Sequence, residues 1–307
     1  MVRVALSLLC AFGLALASPV SRSSLPESPT ANSTVNAAIN NAALSSAKQV
    51  EASADERDML AIYAAYSGAA YTVSTKWDCP YACEYPGTEG TVVEYHWEVG
   101  FPESAGYIAR NPGKQLIVVA FRGTDNDLQW LDNIDFWQTQ WPAAVNDSYV
   151  HRGFMRGYLS VQSTVLSAVK EISAKYPDYS IAVVGHSLGG AKAAICLLDL
   201  SLAMPELLPR LHLHTQGQPR VGNRGFANAI NALGVPMSRE VYEYDIIPRL
   251  PLESMGFRHH KFEVWDHDNK TLICLDPSPL DNCAEGDGIF RPSSVDDHVN
   301  YKGLKYQ

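Results

Sequence analysis

The residues with the clearest chemical meaning are Gly185-His186-Ser187-Leu188-Gly189, a Gly-x-Ser-x-Gly pattern. A serine held between glycines on a tight strand-to-helix turn presents its hydroxyl as a nucleophile. The flanking residues predict that turn. Ile181-Ala182-Val183-Val184 is a continuous apolar run, as expected of a strand buried on both faces. Ala191 to Leu200 is rich in small and apolar residues and predicts a helix. The glycines allow close approach of strand and helix around a strained serine backbone. The free N–H groups and positive dipole end of the helix would face an oxyanion formed beside Ser187.

A serine nucleophile needs a base to take its proton and an acid to orient and charge-stabilise that base. Where this turn occurs, the chain order is serine, acid, histidine. The later histidines are His212, His214, His259, His260, His267 and His298. His212 and His214 fall in a predicted strand and His267 near a hairpin tip. His298 lies in the polar stretch Ser293–Tyr301, a loop able to reach the turn. Among the acids, Asp245 stands at the end of a predicted strand, Val241–Tyr244, where functional groups of parallel sheets gather. Asp276, Asp281, Asp287, Asp296 and Asp297 read as solvated loop residues. Residue type and spacing favour Asp245 and His298 but leave the other histidines open.

These side chains need a scaffold that the rest of the chain must supply. Ser53-Ala54-Asp55-Glu56 is a capping box opening a helix that stops near Gly68. Val93, Tyr95, Trp97 and Val99 alternate with polar residues as in a half-buried strand. Further strands are predicted over 106–110, 116–121 and 211–215, with helices over 157–175 and 224–233. Residues 262–265 and 271–274 predict a hairpin turning at Asp268-Asn269. Strands alternating with helices imply an α/β fold, with a central mostly parallel sheet and helices on both faces.

The chain has 307 residues, 46% hydrophobic and 19% charged, which suits one sizeable domain. A formal net charge of −9 argues against nucleic-acid binding. Residues 1–17 read as a secretory signal: Arg3, an apolar stretch from Val4, and Ala15-Leu16-Ala17 before a cleavage point. Residues 18–52, rich in Ser, Ala, Asn and Pro, read as a flexible leader or propeptide. The folded domain is expected over 53–307. Nothing after the signal is long and apolar enough to span a membrane. Six cysteines fit an oxidising compartment. Cys10 leaves with the signal, and local pairing predicts Cys79–Cys83 and Cys274–Cys283 with Cys196 a buried free thiol. Asn32, Asn146 and Asn269 begin glycosylation sequons. The expected location is extracellular.

Five motifs taken together resemble one family. They are Phe121-Arg122-Gly123-Thr124, the Ser187 pentapeptide, Gln218-Pro219-Arg220-Val221-Gly222-Asn223, Asp245-Ile246-Ile247-Pro248-Arg249-Leu250-Pro251, and Asp297-His298-x-x-Tyr301. Their order is that of the fungal class 3 lipases, an α/β-hydrolase family. The resemblance runs from about Ser53 to Gly303. It implies Ser187, Asp245 and His298 as nucleophile, acid and base. It implies Thr124 and Leu188 as oxyanion donors through backbone N–H groups, and Thr124 follows the strand where the second donor of this fold should lie.

The resemblance also places a short lid helix at Asp127–Ile134. Leu128, Leu131 and Ile134 recur there at helical spacing with Trp130 beside them, an apolar face able to cover a cleft in water and to meet lipid. The related feruloyl esterases keep the triad under a more polar flap, so these residues favour a triacylglycerol lipase. Soluble-ester esterase and non-catalytic binding protein are the alternatives. The acids Asp125, Asp127, Asp132 and Asp135 count against anionic interfaces. The expected partners are an ester or lipid substrate and, transiently, a lipid–water interface, with the protein a monomer. No cofactor or metal is expected. The pair His259-His260 has no ordered set of further ligands near it in sequence. His186, Arg122, Arg220 and His151 are expected to pack and to hold loops.

Overall fold

The structure is a computed structural model that describes residues 49–100, 104–124, 136–275, 283–284 and 293–306. In chain order its elements are β1 (Gln49–Glu51), α1 (Ala54–Ala69), β2 (Val92–Val99), β3 (Ser104–Asn111), β4 (Leu116–Phe121), β5 (Gln138–Gln140) and β6 (Tyr149–His151). There follow α2 (Arg152–Leu159), α3 (Gln162–Lys175), β7 (Ser180–His186), α4 (Leu188–Ala203), β8 (Leu211–Gln216), β9 (Gly222–Asn223), α5 (Arg224–Ala232) and β10 (Met237–Tyr242). The last are β11 (Phe257–Arg258), β12 (Glu263–His267), β13 (Lys270–Cys274), β14 (Asn300–Tyr301) and β15 (Leu304–Lys305).

The main sheet has the order β1-β13-β12-β10-β8-β7-β4-β3-β2. Its centre, β4-β7-β8-β10-β12, is parallel throughout. Antiparallel strands finish both margins. This is the expected mostly parallel sheet, and the hairpin predicted over 262–274 is the antiparallel pair β12–β13. A second sheet of four short strands runs β11-β9-β6-β5.

Side-chain alternation along β4 shows how the layers form. Ile117, Val119 and Phe121 enter the core shared with α2 to α5. Leu116, Val118 and Ala120 enter the core beneath α1, with Tyr63, Tyr66 and Ala69. Because both faces are covered, the strand carries no polar residue, whereas half-buried β2 alternates.

Local signals explain most element ends. The Ser53 hydroxyl accepts from Glu56 N–H at 3.3 Å and the Glu56 carboxylate accepts from Ser53 N–H at 2.7 Å, the anticipated capping box. Asp268 and Asn269 both have positive φ, 50° and 59°, as a two-residue hairpin turn requires. The helix predicted over 157–175 is two helices. Val161 N–H bonds the Tyr158 carbonyl at 3.0 Å and the Ser160 hydroxyl bonds Gly157 at 2.8 Å, so side chain and tightened turn replace helix bonds there. His151 caps α2, its Nδ1 accepting from Gly153 and Phe154 N–H at 3.1 and 3.3 Å.

β1 carries the sheet back to Gln49, inside the segment 18–52 read as a leader. It pairs with Leu272–Cys274, and Ala52 N–H bonds the Thr271 carbonyl at 2.8 Å. Three residues are too short a run to announce a strand without their partner. The disulfides are Cys79–Cys83 and Cys274–Cys283, with Cys196 buried and free. Asn146 and Asn269 are exposed. Among the described residues no helix is long and apolar enough to cross a membrane. The signal, Asn32 and the lid residues Leu128, Trp130, Leu131 and Ile134 lie outside the described residues.

Candidate active site

Ser187 sits between β7 and α4 with φ 57° and ψ −129°, a conformation that costs a non-glycine residue about 1–3 kcal/mol. The neighbours hold it there. A Cβ on Gly185 would run into the Gly189 backbone, and one on Gly189 into the Phe121 carbonyl. Glycines at both positions therefore let β4, β7 and the first turn of α4 meet. Ser187 N–H donates to the Gln216 carbonyl on β8 at 2.9 Å. Leu188 is the first residue of α4, so its N–H has no acceptor within the helix. Gly123 lies against Ser187, since a Cβ there would come 3.2 Å from Ser187 Cβ. Thr124 follows it in sequence, beyond the end of β4.

Asp245 follows β10 across a short turn, Asp245 N–H bonding the Tyr242 carbonyl at 3.0 Å. A parallel bridge from Asp245 to Ser294 ties the C-terminal segment to this strand end. That bridge joins residues far apart in sequence and delivers His298 on a short 3-10 turn, Asp296–Val299. His298 Nδ1–H donates to Asp245 Oδ2 at 2.8 Å. The other carboxylate oxygen accepts from Ile247 N–H at 2.8 Å. Ser187, Asp245 and His298 are all 0% exposed. Among the described residues neither Ser187 Oγ nor His298 Nε2 has a hydrogen-bond partner. Both atoms are therefore open to hydrogen bonding with a reacting group, and what sets them apart from other buried polar atoms is the His298–Asp245 bond behind one and the strained turn under the other.

Further residues brace this pair. The Tyr301 hydroxyl donates to Asp245 Oδ2 at 2.6 Å, and burial, followed by the Asp245 charge, keeps that phenol protonated. Tyr301 also accepts from Tyr242 N–H at 3.2 Å. Asp297, expected to be solvated, accepts from Tyr244 N–H at 3.1 Å. Gly217 lies directly under the His298 ring. Arg220 donates to the Pro251 carbonyl at 3.0 Å and also bonds Arg249, pinning the loop after Asp245. Behind the site Glu240 is fully buried, with Lys302 Nζ 3.5 Å from it and 2.5 Å from Asp266. Burial pushes Glu240 up to about 7 against the pull of Lys302. For Lys302, burial opposes the charge, but Glu240 and Asp266 outweigh it and raise its pKa.

The other histidines have separate places, and none bonds Asp245. His214 stacks on Tyr63 at 3.8 Å, and its Nδ1 lies 2.8 Å from the Ser238 hydroxyl. Burial lowers His212 to about 4. His259 Nε2–H donates to the Pro248 carbonyl at 2.7 Å, and His260 contacts Gln218 at 3.3 Å. His267 stacks on Trp265 near the hairpin turn. Groups of metal-ligating atoms among the described residues include neither His259 nor His260. Nothing in residue type or spacing assigns a role to Gly217, Tyr71 or the Tyr301 hydroxyl. The Asp-His-x-x-Tyr motif of the family resemblance was the available signal for Tyr301; the glycine had none.

Residues 118–255 match the family described as Lipase (class 3). The Rhizomucor miehei lipase is 35% identical over 232 residues, 74% of this chain and 62% of that protein's length. The secreted mono- and diacylglycerol lipase A of Penicillium cyclopium is 30% identical over 249 residues, 78% of this chain and 80% of that one. A solved triacylglycerol lipase whose catalytic centre is a serine protease triad superposes with a TM-score of 0.78. It is 33% identical, over 84% of this chain and 98% of that chain. The fold, the order of the motifs and these relatives agree, and the chain belongs to the class 3 lipase family.

Proposed function

We propose that this protein is a secreted lipase that hydrolyses acylglycerol esters, triacylglycerol foremost, through Ser187, His298 and Asp245. The observation that carries this reading is the buried His298–Asp245 pair beside a strained serine, with Ser187 Oγ and His298 Nε2 unpaired. Ser187 Oγ bonds to the ester carbonyl carbon while its proton passes to His298 Nε2. Asp245 holds the Nδ1–H tautomer and stabilises the imidazolium. The carbonyl oxygen becomes an oxyanion facing the N–H groups of Thr124 and Leu188. Each such donor is worth about 10²–10³ in rate. The tetrahedral intermediate collapses, the carbon–alcohol bond breaks, and the alcohol leaves with the proton from His298. Water then attacks the acyl-enzyme, His298 taking its proton and returning one to Ser187.

The signal-like residues 1–17 and the two disulfides support secretion. The apolar spacing of Leu128, Trp130, Leu131 and Ile134 supports action at a lipid–water interface. So do Phe136 and Trp137 just after that segment, the latter 70% exposed. We take the working unit to be a monomer whose folded domain, expected over 53–307, is extended by β1 and Ala52 to start at Gln49.

The test is the initial rate on one glycerol ester taken through its solubility limit, for wild type and Ser187→Ala. Wild type is expected to rise where droplets appear, and Ser187→Ala to lose about 10⁴-fold or more. Full rate in Ser187→Ala removes the enzyme reading. A smooth saturation curve in wild type moves the protein toward the soluble-ester esterases.

A further inference from the structure

His186 separates Gly185 from the nucleophile and takes no part in the proton transfers above, yet both its ring nitrogens are committed. Nε2 lies 2.6 Å from the His298 main-chain carbonyl, which can only accept, so Nε2 carries the hydrogen. In a neutral ring Nδ1 is then an acceptor, and the Tyr71 hydroxyl 2.7 Å away must donate to it. Burial, reinforced by nearby His298, holds the imidazole well below its usual pKa, consistent with that neutral tautomer. The ring is also clamped flat. It stacks on Tyr306 at 4.2 Å with 17° between planes, and the Tyr306 hydroxyl is anchored to the Ala64 carbonyl at 2.9 Å. At its other end the chain of contacts reaches the oxyanion loop, because the Tyr71 hydroxyl is the first atom a Cβ on Gly123 would strike. Two stretches distant in sequence thus meet on the imidazole of the residue before the nucleophile: Tyr71, whose hydroxyl abuts the loop before Thr124, and the main chain of the base.

We propose that His186 is a positioning residue that, with Tyr71, sets the main chain of His298 and the Gly123-Thr124 loop relative to Ser187. The inference rests on the assignment of Ser187 and His298 as nucleophile and base. Its physical content is that Asp245 and Tyr301 orient the His298 ring from one side, while His186 holds the backbone from which the ring hangs. Both constraints are needed to define where Nε2 points.

The experiment measures kcat and KM on a dissolved short-chain ester, per active site counted with a chromogenic phosphonate. His186→Asn keeps a polar group near Nδ1 and loses the donor at Nε2. It is expected to lower kcat by about 10- to 100-fold with KM within about twofold, as for a reacting group displaced by a fraction of an ångström. His186→Gln, whose amide reaches the Nε2 position, is expected to recover most of that loss. Tyr71→Phe removes one hydroxyl and is expected to cost about 3- to 10-fold, in line with one neutral hydrogen bond. Wild-type kcat in His186→Asn overturns the proposal, as does an equal loss in the Asn and Gln variants, which would mean packing alone. Should His186→Asn not fold, Tyr71→Phe decides, and a kcat within twofold of wild type overturns it. A His298→Ala control that keeps its turnover overturns the triad assignment and this proposal together. An inactive control beside a normal His186→Asn overturns only this proposal.

Discussion

Adding one methyl group at Gly217 tests how tightly the His298–Asp245 pair is held. Gly217 has φ +57°, and a Cβ there would lie 2.7 Å from His298 Cε1, 2.8 Å from Nδ1 and 3.0 Å from Asp245 Oδ2. Ordinary contact begins at 3.4 Å, so the ring or the β8 end must give way by about 0.7 Å. Neither is free to do so at no cost, since His298 is bound through Nδ1 to Asp245 and through its carbonyl to His186. Backbone strain in Gly217→Ala costs about 1 kcal/mol and overpacking a further 1–3 kcal/mol. The displacement itself is expected to lower kcat by about 10- to 100-fold. Gly234→Ala is the control: its φ is +64°, and nothing lies within 4 Å of the added Cβ. It carries the same backbone strain without touching the site. Urea unfolding and turnover per titrated site, measured for both variants, separate the two effects. Both should lose about 1 kcal/mol or more of stability, and only Gly217→Ala should lose turnover. A Gly217→Ala enzyme with wild-type kcat would refute the claim that the pair has no room to move.

Two further outcomes concern the buried charges. His212 has its pKa lowered by burial from 6.5 to about 4, so on acidification the unfolded chain takes up the proton first. Stability is therefore whole above about pH 6.5 and falls as pH drops toward 4, by about 3 kcal/mol from this residue alone. His212→Leu should flatten that part of the urea-stability profile, and an unchanged profile would show that His212 is not the group responsible. Lys302→Met leaves Glu240 and Asp266 facing each other without their cation, and should lower unfolding stability at pH 8 by about 3 kcal/mol. A wild-type urea midpoint in that variant would mean that the cation contributes nothing.

The neighbourhood of Ser187 was legible because its determinants are local. An apolar run, two glycines and a small-residue helix are contiguous, and each is required by the close packing of β4, β7 and α4. The Ser53 capping box, the Asp268-Asn269 turn and the two disulfide loops were legible for the same reason, since each closes over ten residues or fewer. Neighbouring residues meet at little entropic cost whatever the rest of the chain does. The choice of base was different. Six histidines follow Ser187, and motif resemblance had to stand in for geometry that spacing does not contain.

Tertiary structure decided the long-range parts. The Asp245–Ser294 bridge put His298 against Asp245, and the β1–β13 pairing drew Gln49–Glu51 into the sheet. The clamping of His186 between Tyr71, Tyr306 and the His298 carbonyl joins residues more than a hundred positions apart. No periodicity records such contacts, because each partner's own segment would fold alike without the other. What brings them together is the shared burial of several distant segments around one sheet, and that is a property of the packed chain.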